Sequence, residues 1–197
     1  MRVQILTATT VLLAAVTTGC SSAVPTDTPG VERLGAAVLR YQGPEIEAVL
    51  GTRFAAANPG LDWLMLDLAV TGSEGQGVEI EREKLFVRTP AGDEILLASQ
   101  EEFSAAYPGL QSTIARASIA ADPLDYFTGR MPCAIQFFAA PGEGLSFDMV
   151  SVNDRRVCFG RLFFAVPRGV QEGRWMLGID LPESKIRIPF PIGQETR

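Results

Sequence analysis

The sequence predicts a mainly β chain, an antiparallel sandwich with a short helical insertion over about residues 99–130. Three observations carry this. Several short runs alternate apolar and polar residues, the pattern of half-buried strands, and turn signals separate them at the spacing of a sandwich. The hydrophobic fraction of 47% is ample for one core. Residues 99–130 interrupt the strand pattern with a capping signature and a helical texture.

Before the first strand, residues 5–16 read "ILTATTVLLAAV", preceded by Arg2 and followed by "GCSSAVPTDTPG". A membrane-spanning helix needs roughly 20 apolar residues, and this run is shorter. A basic start, a short apolar stretch and small residues after it read as a secretory signal peptide over 1–19. The ending Gly19-Cys20 resembles the lipobox of bacterial lipoproteins, with Thr17 where that family prefers Leu. The resemblance implies cleavage before Cys20, a diacylglycerol on its sulfur and acylation of the new N-terminus. Buried acyl chains contribute about 0.8 kcal/mol per CH₂, enough together to hold the chain on a membrane. An ordinary signal peptidase site and an uncleaved signal anchor are the alternatives. Residues 20–31, rich in Ser, Thr and Pro, read as a flexible tether, and 32–197 as a single domain.

Residues 31–57 are the least regular and allow one early strand or a short helix. Residues 61–71 read as a strand with Leu64, Leu66, Leu68 and Val70 on the core face and Trp63, Met65 and Asp67 opposite. Residues 78–98 read as a hairpin turning at "TPAGDE". Ser99 and Glu102 form a capping box that starts a helix to about Tyr107, stopped by Pro108-Gly109. A second helical stretch precedes Pro123. Strands resume at 133–139 and at 145–152, where Leu145, Phe147 and Met149 share a face, and Asn153-Asp154 marks a turn. Residues 155–167, 173–181 and 185–192 complete the set. The last alternates Ile186, Ile188, Phe190 and Ile192 against Lys185 and Arg187, and its Pro189 and Pro191 place it at a sheet edge.

The C-terminal stretch "GRLFFAVPRGVQEGRWMLGIDLPESKIRIPF" resembles the end of small immunoglobulin-like domains of bacterial lipoproteins. There a strand ending "F-x-V-P" leads into a polar turn, a "W-x-L" strand and a closing apolar strand. The resemblance covers about 61–98 and 131–192. It implies an immunoglobulin-like sandwich and an envelope location, not an activity.

Composition narrows the function classes. The net charge of −6 becomes −7 once Arg2 is removed with the signal. An acidic chain without a basic run argues against nucleic acid, whose phosphates need Lys and Arg, and against direct binding to anionic lipid headgroups. The chain has no histidine, which removes Ser-His-Asp and Cys-His catalysis in their usual form and His-containing zinc sites. No catalytic residue, metal site or cofactor is expected: "GEGL" and "GSEGQG" lack the strand–helix context of a phosphate-binding loop.

With Cys20 lipidated, Cys133 and Cys158 remain, and outside the cytoplasm leftover thiols pair. A bridge closing this loop contributes on the order of 3 kcal/mol; two separate buried thiols are the alternative. Glu79, Glu81 and Glu83 alternate along one strand, so they form an acidic strip for a cation or partner, or a solvated outer face. Asp122, Asp125, Asp148 and Asp154 lie in or near turns and could together offer oxygen ligands for calcium, but no EF-hand or repeat spacing supports that, and no calcium site is expected. The pairs Phe137-Phe138 and Phe163-Phe164 each point one ring outward, either as a partner patch or beneath the 99–130 segment. Arg155, Arg156 and Arg161 read as solvated strand ends. These readings converge on a lipid-anchored envelope lipoprotein in the cell membrane or outer membrane, a non-catalytic binding or structural module that binds or supports another envelope component, with an envelope protein as partner. The alternative is a secreted enzyme or small-ligand carrier that uses carboxylates, with 99–130 as a lid.

Overall fold

The computed structural model describes residues 24–193 except Gln76 and Pro123, with Val24 and Pro25 as backbone only. The apolar N-terminal run and Cys20 lie outside the described residues, so the signal-peptide and lipobox expectations rest on sequence alone.

In chain order the first strands are β1 (Val24–Pro25), β2 (Val31–Arg33), β3 (Val38–Gln42) and β4 (Ile46–Gly51), then helix α1 (Arg53–Ala57). Next come β5 (Trp63–Gly72), β6 (Gly77–Glu81), a 3-10 turn (Arg82–Lys84), β7 (Leu85–Arg88) and β8 (Glu94–Leu96). Helix α2 (Gln100–Ile119) precedes β9 (Met131–Ala134), β10 (Met149–Asn153), β11 (Arg156–Ala165), β12 (Gly173–Asp180) and β13 (Lys185–Ile192). Seven strands form one sheet in the order β1-β2-β3-β4-β5-β11-β9, four form a second as β13-β12-β7-β8, and β10-β6 is a separate ribbon. All pairings are antiparallel except β9 with β11. The mainly β expectation holds, and β13 is an edge strand as its prolines require.

The main core lies between the seven-stranded sheet and the two smaller sheets. Leu64, Leu66, Leu68 and Val70 of β5, with Leu162 and Phe164 of β11, join Leu85, Val87, Trp175, Leu177, Ile179, Ile186, Ile188 and Phe190 in one cluster. Burying each such side chain contributes about 1.5–3 kcal/mol. The Trp175 indole N–H donates to the Gln171 carbonyl at 2.8 Å, so the largest core residue leaves no unmet donor.

The seven-stranded sheet is covered on its reverse face too. Phe103, Leu110 and Ala117 of α2 pack with Phe54, Met65 and Phe163. Leu124 and Phe127, from the segment after α2, pack on Val49, Ala69 and Val157. The molecule is therefore three-layered, and the 99–130 insertion is its third layer. This cover is why Met65, expected on the outer face of its strand, is only 2% exposed.

Several boundaries differ from the sequence reading, each for a stated reason. Residues 31–57 hold three strands and a short helix rather than one element. The 78–88 run is broken by the 3-10 turn, so β6 joins β10 and only β7 and β8 form the hairpin. Its turn closes with Gly92, at φ 95°, donating to the Thr89 carbonyl at 2.9 Å. The two expected helices are one, running through Pro108. The capping box is formed, Ser99 Oγ accepting from Glu102 N at 3.1 Å and Glu102 Oε2 from Ser99 N at 2.8 Å. An interior proline costs about 3 kcal/mol, but Phe103, Tyr107, Leu110, Ile114 and Ala117 keep one stripe against the sheet across it. Burial on both sides of the proline outweighs that cost. The expected 133–139 strand is the short β9, parallel to β11, and the 145–152 strand begins only at Met149.

Candidate functional site

The described surface carries one stretch where large apolar side chains face outward in series. In the ribbon, Met149 is opposite Glu81, Val150 opposite Ile80, Ser151 opposite Glu79 and Val152 opposite Val78. Residues on a strand alternate faces, so Val78, Ile80 and Val152 enter the core while Glu79, Glu81, Met149 and Ser151 form the outer face. Leu145 and Phe147 come just before Met149, in the irregular segment that leads into β10. Leu145, Phe147 and Met149 are 73%, 49% and 48% exposed. Exposed apolar side chains in a contiguous row mark interaction surfaces more often than isolated ones do.

The acidic strip is shorter than its sequence spacing implies. Glu79 and Glu81 share the ribbon face, but the 3-10 turn carries Glu83 off the strand, where its carboxylate meets Lys84 Nζ at 3.2 Å. Hydrogen bonding and attraction from Glu83, then the charges of Glu81 and Asp180, hold the Lys84 ammonium above its usual range.

A buried arginine holds the apolar row in place. Arg82 Nε donates to Asp148 Oδ1 at 3.1 Å, Nη1 to the Ala98 carbonyl at 3.0 Å, and Nη2 to the Phe147 carbonyl at 3.2 Å and to the Phe137 carbonyl. Its guanidinium also lies 5.0 Å from the Phe138 ring centroid. The Arg82 backbone N–H donates to the Asp148 carbonyl, and the Phe147 N–H to the Gln136 carbonyl. Burial lowers the Arg82 pKa from its ordinary value, and the bond to Asp148 opposes this. The guanidinium's planar set of donors joins three chain segments that have little regular structure of their own. Alternation puts Arg82 on the side of Val78 and Ile80, opposite the glutamates, and there it is buried; its hydrogen-bond partners come from distant segments that the sequence does not reveal.

The other candidate residues fall as follows. Cys133 and Cys158 are register partners in β9 and β11, with sulfurs 1.98 Å and Cα atoms 4.3 Å apart. The four aspartates are not brought together, and no group of three or more potential metal ligands occurs among the described residues. Asp148 sits at Arg82, Asp154 accepts from Gly75 N–H at 3.3 Å, and Asp122 is buried beside Arg53. Phe137 and Phe164 enter the main core, while Phe138 and Phe163 lie 5.0 and 4.8 Å from the Phe103 ring of α2. The insertion thus covers the outward rings.

Arg155 and Arg156 are exposed, but Arg161 is not a solvated strand end. It sits within β11 opposite Asp67 of β5, with Nε 3.1 Å from Asp67 Oδ1, and its Nη1 donates to Ser118 Oγ and the Ile114 carbonyl of α2. Single opposite charges in two apolar strands were the available signal, and the register that joins them is tertiary. Burial raises the Asp67 pKa above 3.8 by more than Arg161 lowers it, and the Asp122 charge adds to the rise. A carboxyl that holds its proton more tightly when folded favours the fold in acid. That contribution fades as pH rises from 3.8 through the raised value. Asp67→Asn is expected to flatten the stability curve over that window, as measured by urea unfolding at stepped pH; an unchanged pH slope would refute the assignment.

No family model matches the chain, and no curated protein matches it. Among solved structures it is similar to the crystal structure of "a putative lipoprotein (ycdA) from Bacillus subtilis subsp. subtilis str. 168", with 11% identity and a TM-score of 0.40. The match covers 79% of this chain and 39% of that one.

Proposed function

We propose that the chain is an exported lipoprotein, held on the cell membrane or outer membrane through Cys20. Its single domain over 32–197 is a non-catalytic module that docks an envelope protein. The anchor reading is supported by Arg2, the apolar run 5–16 and Gly19-Cys20, followed by the Ser- and Pro-rich tether. The observation that carries the docking reading is the exposure of Leu145, Phe147 and Met149 in and just before β10, whose Met149 lies opposite Glu81. Its complement is a cationic segment with apolar residues at alternate positions. An apolar strip edged with carboxylates is badly matched to an anionic lipid surface.

We read the two facing sheets as an immunoglobulin-like sandwich. The neighbours β5 and β11 in one sheet, and β7, β12 and β13 in the other, repeat the B–E and C–F–G pairings of that fold. The parallel β9 is its departure from the pattern. A bridge between Cys133 and Cys158 would staple β9 to β11 and suits an oxidising compartment.

One sample tests anchor and bridge together: the mature protein extracted from membranes in detergent, beside a Cys20→Ala variant. Its intact mass is expected to show a chain starting at Cys20 with a lipid-sized addition that the variant lacks. Alkylation of the unfolded, unreduced protein is expected to leave Cys133 and Cys158 unlabelled. A soluble, unmodified mature chain overturns the anchor, and two labelled thiols overturn the bridge. For docking, a synthetic Lys/Leu-alternating peptide and a Glu/Leu counterpart serve as probes. The cationic peptide is expected to bind about tenfold more weakly when Leu145, Phe147 and Met149 are all replaced by Ser, with folding unchanged. Equal binding of both peptides, or no loss in the variant, overturns the docking face.

A further inference from the structure

On the reverse side of the seven-stranded sheet, away from the ribbon, a cleft of about 310 Å³ opens beside the C-terminal end of α2. That is the lower end of the range for small-molecule sites, about 300–1,000 Å³. Asp67, Asp122 and Arg161 supply its charges, and Leu124 and Phe159 an apolar wall. Gly51 makes room for its two aspartates: a Cβ there would come within 3.2 Å of Asp122 Oδ2 and 3.3 Å of the Asp67 Cβ.

Asp122 is the unusual group. Its side chain is 0% exposed, and neither carboxylate oxygen has a hydrogen-bond donor among the described residues. Its charge partner is Arg53, with Nη2 at 2.7 Å from Oδ1 but outside hydrogen-bonding geometry. The Arg53 side chain is itself 57% exposed, so it is held weakly. A buried carboxylate without donors is costly, and an exposed, displaceable guanidinium does not complete its shell.

We infer that this cleft binds a small primary ammonium compound. Its –NH₃⁺ replaces Arg53 at Asp122 and reaches Asp67, and its apolar part lies along Leu124 and Phe159. Three features select this class. The lining residues carry two carboxylates against one guanidinium, so a single positive charge balances them. An ammonium has three donors and no acceptor, and the acceptors it would meet are the Asp122 carboxylate, which lacks hydrogen-bond donors and is paired with Arg53, and the Asp67 oxygen that Arg161 does not take. A divalent cation is a poor occupant, because calcium takes six to eight oxygens and no group of three ligands occurs among the described residues. Arg53 then acts as a tethered competitor for the site.

The test titrates the full mature protein with phenethylamine, and with 2-phenylethanol as the neutral isostere, by calorimetry. Phenethylamine is expected to bind and the alcohol to bind at least about tenfold more weakly, the ratio for losing charge-assisted hydrogen bonds. Asp122→Asn is expected to weaken amine binding by about tenfold or more. Arg53→Ala removes the charge partner of a buried carboxylate, so its folding is checked first by circular dichroism and thermal unfolding, with Arg53→Gln as the milder variant; whichever of the two folds is expected to bind the amine several-fold more tightly, because the competitor is gone. Equal binding of amine and alcohol, no amine binding to wild type or to the folded Arg53 variant, or weaker binding in that variant overturns the proposal. The docking face is remote from this cleft, so the result leaves that reading to its own test.

Discussion

Replacing Arg82 by methionine is expected to destabilise the protein by about 3 kcal/mol or more, because it leaves the Ala98 and Phe137 carbonyls without donors in a buried setting. Each unmet acceptor costs about 1–3 kcal/mol, and the lost contacts with the Phe137 and Phe138 rings add to this. Methionine fills much of the volume, so the loss reports hydrogen bonding rather than a void. Against a typical total stability of about 5–15 kcal/mol this is a severe defect. Lysine keeps the charge but lacks the planar fork, so Arg82→Lys is expected to recover only part of the loss. Asp148→Asn, at a carboxylate whose side chain is 94% exposed, is expected to cost under about 1 kcal/mol. Urea unfolding of the three variants is decisive. A methionine variant within about 1 kcal/mol of wild type would mean that the carbonyls find other donors and Arg82 is no hub.

Phe103→Ala is expected to cost about 3–5 kcal/mol, the range for removing a buried aromatic side chain. Phe103 is 3% exposed and packs against three rings, Tyr107, Phe138 and Phe163. Such aromatic pairs contribute about 0.5–1.5 kcal/mol each beyond their area. Truncation would loosen α2 and expose Phe138 and Phe163 on the sheet, so binding of an apolar dye should rise as the melting midpoint falls. The outcome also separates two roles for the insertion. A lid that opens freely would leave global stability unchanged and only speed amide exchange within α2. A cover that is part of the core would lower the midpoint for the whole domain. The packing of Met65 and Phe163 beneath α2 leads us to expect the second result.

Much of the strand pattern was legible because a strand's side chains alternate and the core sorts them. Residues 63–72 and 185–192 could be placed, face by face, from that alternation alone. The capping box at Ser99 was legible for a similar reason: both hydrogen bonds join residues three apart in the chain. The continuity of α2 was not read, although Phe103, Tyr107, Leu110, Ile114 and Ala117 recur at steps of four and three across Pro108. Pro108 reads as a stop because its local penalty is visible in the sequence. The sheet that outweighs the penalty is not.

The same division holds for the candidate sites. Local chemistry marked Cys20, the alternating glutamates and the face shared by Leu145, Phe147 and Met149. It did not reveal that the last three stay exposed, since an apolar alternation predicts burial whether or not another layer is present. Alternation puts Arg82 on the side of Val78 and Ile80, but the Ala98, Phe137 and Phe147 carbonyls that it bonds come from distant segments. Asp67 and Arg161 are paired by the register of β5 with β11, and Asp122 and Gly51 by the fold of the insertion over the sheet.

By itself, the sequence determined the strand-rich class and the start of the helix, because each depends on residues within a few positions of one another. The tertiary structure alone decided which apolar faces are covered, which charges are buried and which clefts remain. Those outcomes depend on contacts between distant segments, where burial and pairing outweigh local preference.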